Sequence, residues 1–250
     1  ISRKFYRDHL SSLLPAMRSD DVARQLDAEL RIAPEWMDEA GIAARGQLDL
    51  LDNPGMSTSR THTPEEFRSE LADEFPFIKG LRFIRASNRA YVYTGNWLRT
   101  KYFDQVAEIF RGHPDVTADD YKNLARWVNV ITGRGETRLP IVGEIPPGLM
   151  NFASDTMFSP RFLSSRLQML FAPLHPTFSP AGLLVPGRSA ASRQLRKEVA
   201  KDLVTYYVAW GTGLGLAKLS GFEVQLNPGH ANFGVMKLGN LRLDMSAGQA

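Results

Sequence analysis

The chain has 250 residues, 43% of them hydrophobic and 23% charged, with a formal net charge of +3. That balance excludes wholesale disorder, a collagen-like repeat and a polytopic membrane protein, and the length allows one large domain, or two small ones, with a real core. The absence of cysteine removes disulfides, thiolate zinc sites, iron–sulfur clusters and cysteine nucleophiles together.

The chain opens at Ile1 and closes at Ala250 just after a strand-like run, which reads as a segment of a longer polypeptide. Arg3, Lys4, Arg7 and Asp8 interrupt any signal-like apolar stretch at its start. The first 40 residues read as short helices. Asp20-Asp21 precedes Val22, Leu26 and Leu30, which share one helical face, and Pro34 suits an early helical position before Glu35, Trp36 and Met37. From Gly41 to Thr63 the pattern dissolves around the turn signal Asn53-Pro54-Gly55, so a long surface loop is expected.

Thr63-Pro64-Glu65-Glu66 carries a capping box and a helix-starting proline. A long helix is predicted from Pro76 to Arg111, with Leu81, Ile84, Tyr91, Trp97, Leu98 and Ile109 as its apolar positions and Gly112 and Pro114 as its stop. Thr117 and Asp120 cap the next helix, whose face is Tyr121, Leu124, Val128 and Ile131 and whose end is Gly133. Pro140, Pro146, Pro147 and Gly148 forbid one continuous helix over 136–158. Ser159-Pro160 restarts helix, with Leu163, Leu167, Leu170 and Phe171 as its buried stripe, and Pro173–Gly187 reads as an irregular crossing loop.

A second long helix is predicted from Ser189 to Leu219, with Leu195, Val199, Leu203, Tyr206 and Trp210 at near-helical spacing. Then the period changes. Phe222, Val224 and Leu226 alternate, and Val235–Leu238 and Leu241–Asp244 form a hairpin around Gly239-Asn240. The expected fold is therefore mainly α, an irregular multi-helix domain with two long helices and a small C-terminal β-hairpin. It is divided as N-terminal helices and surface loop (1–62), helical core (63–221) and β end (222–250).

Motifs of catalysis do not converge. His9, His62, His113, His175 and His230 never fall at i, i+3 or i, i+4, so no metal site is read. Gly133-Arg134-Gly135 follows a helix rather than a strand, and Gly211, Gly213 and Gly215 depart from dinucleotide and P-loop patterns. The latter three read as close helix packing. Glu65-Glu66 and Asp119-Asp120 sit at helix starts, where the helix dipole accounts for them. No enzymatic role and no cofactor are expected.

Two features have a functional reading beside a bland one. Arg188, Arg193, Arg196, Lys197 and Lys201, joined by Arg161 and Arg166, are countered by only Glu198 and Asp202. They form either a solvated face or a contact for phosphate. Leu203 to Ala217 is an uncharged run of about 15 residues, short of the roughly 20 that span a bilayer. A buried helix is expected, with Leu203, Tyr206 and Trp210 facing the other long helix. The alternative is an interfacial helix with Tyr206, Tyr207 and Trp210 in the headgroup zone.

Five blocks in this order carry a resemblance. They are 81–103 (LRFIRASNRAYVYTGNWLRTKYF), 127–135 (WVNVITGRG), 157–170 (MFSPRFLSSRLQML), 195–221, and 233–244 (FGVMKLGNLRLD). Over about residues 60–250 the chain resembles one of the large polyvalent protein-associated domains found in very long proteins of tailed bacteriophages and conjugative elements. The pattern matches at Asn129, Gly133, Arg134, Gly135, Ser159, Pro160, Arg161, Ser165, Arg166, Gly239, Asn240, Arg242 and Asp244, with roles that read as caps, turns and paired charges. The resemblance implies a structural, interaction-making segment of an internal virion (ejection) protein, packaged with the genome in the virion interior and delivered with it into the host envelope or cytoplasm. Its implied partners are other virion proteins, further copies of itself, packaged DNA and, transiently, a host membrane. The rival readings are a non-catalytic part of a delivered effector enzyme and a nucleic-acid-binding module.

Overall fold

The computed structural model describes residues 3–51, 82–135, 138–139, 143–144, 164–165, 168–169, 171–175, 178, 189–227, 234–239 and 241–244. The protein is mainly helical, with a small antiparallel sheet at its C-terminal end. Helix α1 spans Arg3–Arg18, α2 Asp20–Arg31, α3 Glu39–Arg45, α4 Arg82–Arg111, α5 Ala118–Ile131 and α6 Ala190–Leu219. A 3-10 turn covers Ala172–Leu174. Strands β1 (Arg138–Leu139) and β2 (Gly143–Glu144) pair with each other. Strands β3 (Glu223–Val224), β4 (Val235–Leu238) and β5 (Leu241–Asp244) form a second sheet in that order.

Local chemistry sets the helix ends. Ser19 accepts from Asp21 N and starts α2. Thr117 and Asp120 form the predicted reciprocal capping box at α5. Ser189 accepts from Ser192 N and starts α6 at the predicted residue. Gly133, at φ 82°, ends α5. Gly133 N bonds to Val130 O and Arg134 N to Asn129 O, the two bonds of a Schellman close, which satisfies the last carbonyls of the helix. The hairpin has the predicted register, with Leu238 opposite Leu241 and Gly239 in the left-handed region at φ 58°.

Helix α4 is the spine, about 45 Å long at 1.5 Å per residue, and α1, α2, α3, α5 and α6 all pack on it. One core cluster joins Phe103, Val106 and Phe110 of α4 to Tyr121, Leu124, Trp127 and Val128 of α5 and to Leu195, Val199 and Leu203 of α6. Phe178 closes over Trp127 at a ring-centroid separation of 5.3 Å. A second cluster joins Ala16 of α1, Ala23 and Leu30 of α2, and Tyr93 and Trp97 of α4.

Two expectations are corrected, and the faces of α4 are resolved. Pro34 is not helical: Met37 N closes a turn on Pro34 O, and helix resumes only at α3, where Asp38 accepts from Gly41 N at 2.7 Å. The expected surface loop from Gly41 begins instead as a buried helix, with Gly41, Ala44, Arg45, Leu48 and Leu51 inside. A Cβ at Gly41 would lie 2.7 Å from Met37 Cγ, so the glycine marks close packing there. On α4, Tyr91, Leu98 and Ile109 face outward while Arg89, Asn96, Arg99, Thr100 and Asp104 are buried. The helix starts predicted at Thr63 and Pro76, and the restart at Ser159-Pro160, lie outside the described residues.

Candidate interaction surfaces

Helix α6 holds most of the predicted contact residues, and the structure divides them. Arg193, Lys197 and Lys201 are exposed, and Lys201 Nζ donates to Glu198 at 3.2 Å. Arg196 is corrected: it is 0% exposed and belongs to the interior, not to a cationic face. The reason is helical phase. Arg196 follows Leu195 and precedes Val199 on the arc that meets the core, whereas Arg193, Lys197 and Lys201 run along another arc. Arg161, Arg166 and Arg188 lie outside the described residues.

The second half of α6 departs from the expectation of burial. Its inner arc behaves as predicted: Leu203 and Leu214 are buried, and Tyr206 packs against the main core. Its outer arc is also apolar and is open. Val204 is 63% exposed, Val208 61% and Leu219 86%, and nothing lies within 4 Å of a Cβ built at Gly211 or Gly215. These five positions recur at i, i+4, i+7, i+11 and i+15, one stripe of a helix. Gly211 and Gly215 therefore do not serve close packing inside this chain. Tyr207 and Leu216 widen the apolar surface. No helix among the described residues is long and apolar enough to cross a membrane.

Between α4, α5 and α6 sits a half-buried carboxylate. Asp202 accepts from Tyr102 Oη and from Trp127 Nε1 at 3.0 Å. Burial pushes its pKa up, and the two hydrogen bonds pull it down. Burial beside Asp202 likewise pushes the Tyr102 phenol far up, so it remains a donor.

The residues of the 127–135 block converge at the end of α5. Asn129 accepts from Asp49 N and donates to Gln47 O, each at 3.0 Å. Arg134 pairs with Asp49 at 3.0 Å. Gly135 N donates to Ser165 Oγ at 2.7 Å, and a Cβ at 135 would meet Gln168 Oε1 at 2.9 Å. These residues clamp the 46–51 segment onto α5. Arg242 and Asp244 lie on β5, opposite Lys237 and Val235, and Ser159, Pro160 and Asn240 lie outside the described residues. Periodicity missed Asp49, Arg99 and Thr132, which complete this junction. Arg99 stood within the 81–103 block, and only its polarity on a long helix marked it.

No family model matches the chain, and no curated protein or solved structure shows significant similarity to it.

Proposed function

We propose that this chain is an assembly-making, non-catalytic segment of a large phage internal virion protein, associating through the outer arc of α6. The observation that carries the assembly reading is the open stripe Val204, Val208, Gly211, Gly215 and Leu219. A helix apolar on both arcs loses hydrophobic stabilisation wherever one arc stays wet. Two glycines one turn apart let a second backbone approach closely.

The favoured occupant is a second copy of the chain, whose own open stripe is apolar and glycine-bearing in the same way. The virion setting rests on the resemblance of the five sequence blocks. The test has two parts. A sedimentation series over concentration reads self-association. Proteomics of DNA-filled particles from the element that encodes the chain reads its location. A monomer at all concentrations would remove the assembly reading, and absence from the particles would remove the virion setting.

A further inference from the structure

The buried apolar residues form two separate sets with α4 as their shared spine. Ala16 of α1 and Ala23 and Leu30 of α2 meet Tyr93 and Trp97 of α4, with Leu13 and Leu26 at the margin. The main core takes up the chain again at Trp36 and Met37. Residues 32–35 belong to neither set. Ile32 leaves α2 with extended backbone and is 70% exposed, Glu35 is exposed, and the turn of Met37 N on Pro34 O lies there too.

Polar contacts hold α1 and α2 to α4 at two levels. At the α1–α2 corner, Arg89 donates from Nε to Ala16 O, from Nη2 to Met17 O and from Nη1 to Asp20 Oδ1 at 2.6 Å. One guanidinium thus caps the last turn of α1 and meets the acid that opens α2. About two turns further along both helices, Asn96 Nδ2 donates to Asp27 Oδ1 at 2.6 Å. Helix α2 therefore runs beside α4 in the same direction. The exit of α2 is tied differently: Arg45 of α3 donates to Leu30 O and Arg31 O and pairs with Asp104 of α4. Arg45 fixes this end of α2, and Arg89 holds the other end, about 16 Å away at 1.5 Å per residue.

The large buried side chains lie elsewhere. Phe103, Phe110, Leu124, Trp127 and Leu195 belong to the main core, to which no described residue of α1 or α2 contributes. Lifting α1 and α2 away wets Tyr93 and Trp97 and breaks the hydrogen bond between Ser12 and the Tyr93 phenol, but it leaves the main core closed. The carbonyls, carboxylates and donors of the seam then exchange protein partners for water, at a small net cost for each. Opening this part alone therefore takes less free energy than unfolding the whole chain.

We propose that α1 and α2 form a hinged lid that opens as a unit about residues 32–35, with Arg45 at the pivot and Arg89 as the latch. Opening uncovers the Tyr93–Trp97 strip of α4 while α3, α5, α6 and the rest of α4 stay folded. The lid is independent of the α6 surface and of any assembly through it.

The test is native-state hydrogen exchange of the whole chain at urea concentrations below its unfolding transition, read on peptides from α1, α2, α5 and α6. Amides of α1 and α2 should exchange through one shared opening, about tenfold or more above the slowest of α5, with a weaker urea dependence because less surface is exposed. Val199→Ala, in the main core, should speed exchange in α5 and α6 about tenfold or more and leave α1 and α2 unchanged, because the open-lid state keeps that core. Arg89→Lys, which keeps the charge but not the fork, should speed exchange in α1 and α2 about tenfold. Should Val199→Ala not fold, the urea dependence in the native chain decides. One isotherm shared by α1, α2 and α5, separate openings of α1 and α2, or equal acceleration of all four helices by Val199→Ala would overturn the lid. No acceleration by Arg89→Lys would overturn the latch.

Discussion

Asn96 is fully buried and polar, and its removal has a calculable effect. Its Oδ1 accepts from Leu51 N at 2.7 Å, and its Nδ2 donates to Leu51 O at 2.8 Å and to Asp27 Oδ1 at 2.6 Å. One side chain thus ties α4 to α2 and to the chain leaving α3. Asn96→Ala leaves the buried Leu51 N–H without a partner, at about 1–3 kcal/mol, takes one of two donors from Leu51 O, which keeps Arg31 Nη2 at 3.4 Å, and strips a charge-assisted bond worth about 1.5–3 kcal/mol. The losses overlap, because water entering the vacated volume restores part of them. A net loss of about 3–4 kcal/mol follows, a large share of the 5–15 kcal/mol that holds typical domains together. For a chain of this length the midpoint should fall by about 10 °C. Thermal unfolding followed by far-UV circular dichroism and by tryptophan fluorescence reads this directly. Lys101→Ala, exposed on the same helix, should change stability by less than about 0.5 kcal/mol. If Asn96→Ala cost no more than Lys101→Ala, the polar clamp would not be holding these elements.

The other predictions concern charge and space. Burial holds the folded-state pKa of Asp202 above its unfolded value, so the stability it contributes is complete below the unfolded pKa and is lost as pH rises through the folded one. Asp202→Asn retains an oxygen for Tyr102 and Trp127, so its stability relative to the native chain should climb as pH rises above about 4, the ordinary carboxylate value; a flat difference in denaturant titrations would reject the burial account. Gly135→Ala should destabilise by about 1–3 kcal/mol through its contacts with Gln168 and Ser165, whereas Gly211→Ala, in open space, should stabilise the monomer by up to about 1 kcal/mol. Equal effects of the two in urea would contradict this placement. Replacing exposed Arg193, Lys197 and Lys201 with Ser should reduce the salt slope of DNA retention by about 2–3, and unchanged retention on a DNA column would leave those cations as a solvated face.

Much of the fold was legible because local signals agree with it. The capping box at Thr117, the Ser189 cap, the Gly133 stop and the hairpin turn each depend on neighbours in sequence. Helix α3 escaped because seven residues show no period, and the glycine within them is a packing residue rather than a breaker. The polar interior of α4 escaped for a different reason. Arg89, Asn96, Arg99 and Asp104 are buried through partners distant in sequence, such as Asp20, Asp27, Thr132 and Arg45, and hydropathy alone assigns such residues to the surface. Arg196 failed in the same way. The outer arc of α6 failed in reverse: apolar residues read as interior, yet within one copy they face outward.

The central claim is that this outer arc is completed by a second copy, and sedimentation equilibrium of the native chain against a Val204→Glu/Val208→Glu double variant tests it most directly. Both substitutions fall on exposed positions, so the monomer should keep its helical circular dichroism. The account predicts a reversible dimer for the native chain and a monomer for the variant over the same concentration range. A native chain that remains monomeric, or a variant that associates equally well, would contradict it.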